Sequence, residues 1–363
     1  FLRAFAFNEL VQVFGGVPLR NDSRNPNKLP RASVDEVYQQ IGSDLKNAIE
    51  MMPDKIYLDG SPMAGHATKY AAEALMARVF LFYTGRYGKT ELPGGITKAQ
   101  TTVWIDDCVN NSGHDLVSDQ RNLWAYTNKA SENNTSDKFK YKYVVNNNLD
   151  WAGLSSIETL FANKHKIKGN NWSYTWFSNT VSQFYSPSAD NSKAEDGEGY
   201  PFGRGWGAGP VSPAMVKEWK TWSAQQTYLN GAKEDPRLTG SIWSYRALDP
   251  NNKGKVLFDR RLSNDEPDYT VSYRYYEQTG YHQKKYINVM SYQNINANDP
   301  SKNPEYGIRS FGLQLYPNIT ADVVSQSLNN IADLIHIRFA DVLLMQSELK
   351  QDATGLNRVR NRS

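Results

Sequence analysis

The chain has 363 residues, 39% of them apolar and 22% charged, which is enough to bury a sizeable core and too balanced for wholesale disorder. Its 41 Lys and Arg against 38 Asp and Glu leave a net charge of +3, which by itself builds no nucleic-acid-binding face. A single cysteine, Cys108, excludes an intramolecular disulfide and a multi-thiolate metal site, and no apolar run approaches the ~20 residues a membrane-spanning helix needs.

The first part reads as helices. Phe1, Leu2, Phe5, Leu10, Val11 and Phe14 recur at helical spacing, and Gly15–Gly16 with Pro18 stop that helix. Ser33-Val-Asp-Glu36 has the spacing of a capping box. It predicts a helix carrying Val34, Val37, Tyr38, Ile41, Leu45, Ala48 and Ile49, ended by Pro53. Thr68 to Thr84 reads as a third helix, rich in small residues that permit close packing, with Gly85 as its C-cap. Thr97 to Asn111 is a weaker fourth, stopped at Gly113. Helices joined by short turns suggest hairpins of the tetratricopeptide type.

The middle differs. From Asn128 to Thr270 long periodic stretches give way to Gly, Asn, Ser and Asp, and most of the tryptophans fall there. Short strands are expected at Ile157–Ala162 and near Tyr141–Val145, a helix over Pro213–Trp222, and strands within Tyr273–Tyr292. Then Ile335–Ile337 reads as a strand, Phe339–Leu349 as a buried helix apolar nearly all round, and Asn357–Arg362 as another helix. Helical patterns run to both termini without start or stop signals, so the sequence reads as a chain cut at both ends.

The composition carries a binding signal. The chain has 22 Tyr, 9 Trp and 14 Phe, with frequent asparagine, as at Asn146–Asn148 and Asn170–Asn171. Rings stack on the apolar face of a pyranose and amides bond its hydroxyls; the other reading is that these residues decorate long loops. In NNWSYTWFSN, Trp172, Tyr174 and Trp176 alternate and would share one face of a strand, with Phe177 on the other. Asn171 and Asn179 would be the polar partners, and Tyr185, Tyr200 and Trp206 lie nearby in sequence. That face is either an exposed stacking platform or a sheet core, and the sequence leaves both open. Trp104, and Trp219 with Trp222 at i and i+3, read as core.

Catalytic and cofactor patterns do not point elsewhere. The sequence has no H-E-x-x-H, no G-x-S-x-G and no P-loop. Gly203-Arg-Gly-Trp-Gly-Ala-Gly209 follows no clear strand and precedes proline, so it reads as a tight turn holding Trp206 at a surface rather than a dinucleotide loop. No histidine pair has i, i+4 metal spacing, and the acidic run Asp190, Glu195, Asp196 and Glu198 lacks the EF-hand pattern and reads as a solvated loop. No cofactor and no metal ligand set is assigned. Arg358, Arg360 and Arg362 with Lys350 read as a solvated or salt-bridged helix face.

Segments from end to end resemble the RagB/SusD family of nutrient-uptake lipoproteins of Bacteroidetes. FLRAFAFNELVQVFGGVPL at Phe1–Leu19 resembles the family's opening helix and turn, SVDEVYQQIGSDLKNAIEMMP its second helix, and HATKYAAEALMARVFLFYTG its third. Ser112–Trp124, Glu158–Ala162, GRGWGAGPVSPAMVKEW at Gly203–Trp219, DPRLTGSI at Asp235–Ile242 and GYHQKKYI at Gly280–Ile287 resemble successive family elements. IHIRFADVLLMQSEL at Ile335–Leu349 and LNRVRNR at Leu356–Arg362 resemble its last helices. The family's lipobox cysteine and first helix pair are not in this sequence, nor is the segment that follows LNRVRNR in the family.

The resemblance implies a mainly α fold of tetratricopeptide-like helical hairpins with a loop-rich insertion containing short strands. It implies a scaffold over residues 1–115, a loop-rich ligand-binding region over 116–330, and incomplete C-terminal scaffold helices over 331–363. It further implies a lipid-anchored protein of the outer-membrane cell surface that binds glycan without cleaving it. Its partner would be a SusC-like TonB-dependent transporter, with no nucleic acid involved. On this reading Asn171, Trp172, Tyr174, Trp176, Asn179, Tyr185, Tyr200 and Trp206 contact the glycan. Peptide capture is the second binding reading. A carbohydrate-active enzyme would need two carboxylates about 5–10 Å apart beside the tryptophans. A plain helical scaffold would need an exposed apolar groove.

Overall fold

The structure, a computed structural model, describes the chain except residues 23, 25–27, 59, 130–140, 167–178, 187–204, 229–233, 250–251, 266–267, 271–278, 288–290, 295–300, 304–305, 310–330 and 363. The chain forms two compact units. One comprises Phe1–Leu116, Ser155–Asn163 and Ile335–Asn361; the other comprises Val117–Leu154, Lys164–Leu334 and Arg362–Ser363.

The first unit is built from helices that pack on their sequence neighbours. These are α1 (Leu2–Phe14), α2 (Val34–Met51), α3 (Lys69–Tyr87) and α4 (Lys98–Asn111), and the helix Phe339–Lys350 packs on α3 and α4. The starts are set by local chemistry. Ser33 Oγ accepts from the Glu36 amide at 3.2 Å while Glu36 Oε2 accepts from the Ser33 amide at 2.7 Å, the reciprocal box the spacing predicts. Thr97 and Gln100 repeat it at the head of α4.

α3 is the centre of the unit, with Ala71, Ala72, Ala74, Leu75, Met76, Ala77 and Val79 all without exposed surface. Alanines at the contact let neighbouring helices approach closely. Trp104, expected in the core, is partly buried against this cluster.

The mainly α, hairpin-built fold is therefore the one observed, with shifted boundaries: the last helix runs Thr354–Asn361 rather than Asn357–Arg362, and the strand expected at Ile157–Ala162 is Thr159–Asn163. α3 passes through Gly85 and ends at Gly88, whose φ of 63° is the left-handed C-cap. The extra turn places Tyr87 against Tyr38 and Tyr83, with ring centroids 6.1 and 5.3 Å away. The returning C-terminal segment is bonded to the same helix. The strand Leu334–Arg338 pairs with Thr159–Asn163, and Arg78 of α3 donates to the His336 carbonyl at 3.0 Å. Gln346 and Lys350 then donate to Asp106 of α4 at 2.6 and 3.0 Å.

The second unit consists of short pieces. Arg246–Asp249 is the central strand of a three-stranded sheet, antiparallel to Asn252–Asp259 and parallel to Asp268–Thr270. Ile242–Ser244 pairs antiparallel with Tyr281–Gln283, Trp243 opposite His282. Ser291–Asn294 pairs antiparallel with Tyr306–Arg309.

The core of this unit is aromatic, with Trp124, Tyr126, Tyr141, Tyr143, Trp243 and Tyr245 around Leu123, Val144, Leu149 and Ile287. Much of the tyrosine in the composition is thus interior, where each hydroxyl needs a partner: Tyr126 donates to the Gly240 carbonyl at 2.7 Å and Tyr143 to Thr239 Oγ1 at 3.1 Å. The strand expected near Tyr141–Val145 is instead a helical turn, Lys142–Asn146, which buries both Tyr143 and Val144. A strand would send those two neighbours to opposite faces.

Among the described residues no helix is long and apolar enough to cross a membrane. Nor is any group of three or more His, Cys, Asp or Glu placed to hold a metal ion.

Candidate functional site

The sequence-predicted ligand residues divide three ways. Asn171, Trp172, Tyr174, Trp176 and Tyr200 lie outside the described residues, as does the acidic run from Asp190 to Glu198. Tyr185 and Trp206 are at the surface, 41% and 50% exposed. Asn179 is not a surface amide. It is 1% exposed, its Nδ2 donates to the Ala332 carbonyl at 2.9 Å, and its Oδ1 accepts from the Val181 amide at 3.0 Å. An enclosed amide bonded on both sides caps the helix that follows it and does not face a ligand. Asn179 therefore leaves the expected set of polar partners.

Tyr185 ends the short helix Val181–Tyr185, and Trp206 sits on the turn Gly205–Gly209. Backbone bonds join the two pieces: the Gly207 amide donates to the Ser186 carbonyl at 2.9 Å and the Ala208 amide to the Phe184 carbonyl at 2.8 Å. Phe184, which sequence reasoning did not single out, is 45% exposed and meets Trp206 edge-on, with ring centroids 4.7 Å apart at 85°. Its one signal is its place beside Tyr185 in an aromatic-rich stretch. Phe184 and Trp206 thus form an exposed edge-on pair, with Tyr185 exposed next to Phe184 in the chain, and these three uncharged rings make up the candidate rim.

The turn Gly205-Trp-Gly-Ala-Gly209 works by alternation. Its three glycines are buried and Trp206 and Ala208 are exposed, so the side chains point outward from a backbone pressed inward. At Gly209 a Cβ would lie 2.6 Å from His282 Cε1 and 2.8 Å from the Tyr185 carbonyl oxygen, so only glycine fits there. The next residue, Pro210, forms an antiparallel bridge to His282, flanked by Gln283 N donating to Gly209 O at 2.8 Å and Val211 N to Tyr281 O at 2.9 Å. His282 is 1% exposed, and burial pulls its pKa down to about 4, so its ring is neutral beneath the turn at ordinary pH.

Two further features lie near this turn in sequence. Trp219 of the helix Pro213–Ser223 packs on Val216, Leu238 and Ile242, and its Nε1 donates to Asp235 at 3.1 Å. Trp222, expected in the core, is 47% exposed: the buried stripe of this helix is one residue wide at that level. Asp235 caps the helix Pro236–Ser241 and holds Arg237 at 2.6 Å. Burial raises the Asp235 pKa, but its bonds from Arg237 and Trp219 outweigh that and leave it below the ordinary carboxylate value. The other unit has a cleft of about 220 Å³ lined by Val109, Leu343, Lys350 and Arg358. Its cations are paired with Asp106 and Asp115, and none of its lining residues is aromatic.

Comparison with known proteins bears on the fold. A SusD-like family model described as "Starch-binding associating with outer membrane" matches residues 1–81. A SusD-like protein of Bacteroides ovatus is 28% identical over 136 residues, 36% of this chain and 23% of its own length. A laminarin-binding SusD-like protein shares the fold with a TM-score of 0.61 at 21% identity, over 99% of this chain and 61% of that one. Surface glycan-binding protein A from Bacteroides thetaiotaomicron, solved with laminarihexaose, gives 0.59 at 16% identity, over 99% and 60%. The chain spans about a quarter of the curated relative's length and about three fifths of these two structures. The chain is thus similar to SusD-like proteins in the sequence of its first helices, and it shares their fold along nearly its whole length.

Proposed function

We propose that this chain is the non-catalytic, glycan-binding part of a cell-surface protein that captures oligo- or polysaccharide and hands it to a SusC-like TonB-dependent transporter. The helical segments, residues 1–115 and 331–363, are its scaffold. Residues 116–330 carry the ligand, and a lipid at the N-terminus of the parent protein anchors it to the outer membrane. The observation that carries this reading is the exposed rim of Phe184, Tyr185 and Trp206, fixed by backbone hydrogen bonds. The shared fold supports it, since two of the proteins compared are named for binding laminarin or were solved with laminarihexaose. Trp172, Tyr174, Trp176, Asn171 and Tyr200, which lie outside the described residues, are further glycan contacts in this proposal.

Ring-on-sugar stacking holds a neutral ligand by contact and needs no reacting group. Calorimetric titration with laminarihexaose, a xyloglucan oligosaccharide and a panel of soluble polysaccharides tests it, with product analysis on the same samples. Saturable binding is expected, weakened about tenfold or more in Trp206→Ala and in Tyr185→Ala, the scale of one lost stacking contact. Unchanged affinity in both variants would remove the rim from the site. Shortened oligosaccharide after incubation would overturn the non-catalytic reading.

A further inference from the structure

Lys284 has no exposed surface, a rare state for a lysine. Its Nζ donates to the Thr239 carbonyl at 2.9 Å and stands 3.6 Å from the centroid of the Tyr143 ring, with the Tyr126 and Tyr141 rings at 5.3 Å each. Ring faces and a carbonyl here take the place of water around the ammonium. The carbonyl belongs to the last turn of the helix Pro236–Ser241, where carbonyls lack intrahelical partners and a cation is favoured. The Lys284 amide donates to the Ser241 carbonyl at 2.8 Å, so backbone and side chain grip the same helix end.

The residues before Lys284 carry that grip to the rim. Tyr281–Gln283 is held on one side by Ile242–Ser244. On its other side it holds the rim turn, through the Pro210–His282 bridge and the Gln283–Gly209 and Val211–Tyr281 bonds. Gly207 and Ala208 of the turn bond in turn to Ser186 and Phe184. We propose that Lys284 is a positioning residue for the aromatic rim: its caged ammonium locks the strand on which the Trp206 turn is hung. This rests on the glycan-binding reading for its functional consequence, because stacking surfaces lose affinity when their supporting shell loosens by about an ångström.

The test is Lys284→Met in the full chain, read by amide hydrogen exchange and by titration with the sugars that the parent binds. Exchange is expected to quicken about tenfold at Gly207, Ala208, Val211 and Gln283, while the Arg246–Asp249 and Asn252–Asp259 strands keep their protection. Affinity should fall about tenfold, and Trp206→Ala added to Lys284→Met should cost less than it does alone. Unchanged exchange at the four amides overturns the inference, as does an equal rise throughout the unit, the signature of a merely structural lysine. If Lys284→Met does not fold, Tyr143→Leu removes the nearest ring and is read by the same amides, with no rise again overturning it. Loosened amides in a protein whose affinity is indifferent to Trp206→Ala would instead remove the rim from the glycan site and leave the anchoring intact.

Discussion

Glu73 lies on α3 with its side chain fully buried, 3.7 Å from Lys69 Nζ, while Lys69 gives its close contact, 2.6 Å, to Asp107. Burial, and next the nearby Asp107 charge, raise the Glu73 pKa to about 8 from an ordinary 4.5. The folded protein therefore keeps a proton there that the unfolded chain releases above about pH 4.5. Its contribution is full at low pH, falls as pH rises through 4.5 to 8, and is gone above that window, with a slope of at most about 1.4 kcal/mol per pH unit. Glu73→Gln keeps the shape and removes the titration. Denaturant unfolding of the two proteins from pH 5 to 9 should show the variant gaining relative to the parent as pH rises. Parallel stability curves would mean that Glu73 is ionised inside the fold.

The helix starts show how an element can be written in a few residues. At α2 the Ser33–Glu36 box satisfies two amides that no helix can bond internally, and it holds the exposed Glu36 carboxyl below its ordinary pKa through its bonds from Ser33. Ser33→Ala should lower the unfolding free energy by about 1 kcal/mol and Ser33→Gly by only a few tenths, measured by denaturant titration. Equal losses would point to solvent rather than the serine as the partner of the Glu36 amide. Such starts were legible because their chemistry is local. The end of α3 was not: Gly85 and Gly88 are equally good stops, and the choice falls to Tyr87 docking on Tyr38 and Tyr83, which are remote in sequence or invisible to a capping rule. The Tyr141–Val145 segment misled for a related reason. Its β-leaning residues are drawn into a helical turn by the core they fill. Trp222 shows that periodicity fixes the face of a helix but not the width of its buried stripe.

At the scale of the whole molecule the candidate site was readable in kind and not in membership. The exposed position of Trp206 followed from a glycine-rich stretch, and Tyr185, chosen by residue type, is exposed too. Asn179 has the right chemistry for a sugar hydroxyl but spends it on Val181 and Ala332, and the lysine cage assembles rings from positions 126 to 143 around position 284, which no local pattern announces. The charge balance bears on how a ligand would be held in the proposed site. Net charge is +3, and in the unit that bears the rim Asp119, Asp235 and Asp259 bind the arginine two residues on, at 2.7, 2.6 and 2.8 Å. Charges neutralised at such range project little field, and the three rim side chains carry none. On the proposed reading, recognition there depends on contact, which salt does not screen. Affinity for laminarihexaose, or for whichever neutral sugar of the panel binds, should change less than about twofold between 50 and 500 mM NaCl. A ligand held by several ion pairs would lose affinity steeply over the same range. A steep salt dependence would therefore move the proposal from stacking on a neutral glycan to charge recognition of an anionic one, by residues other than Phe184, Tyr185 and Trp206.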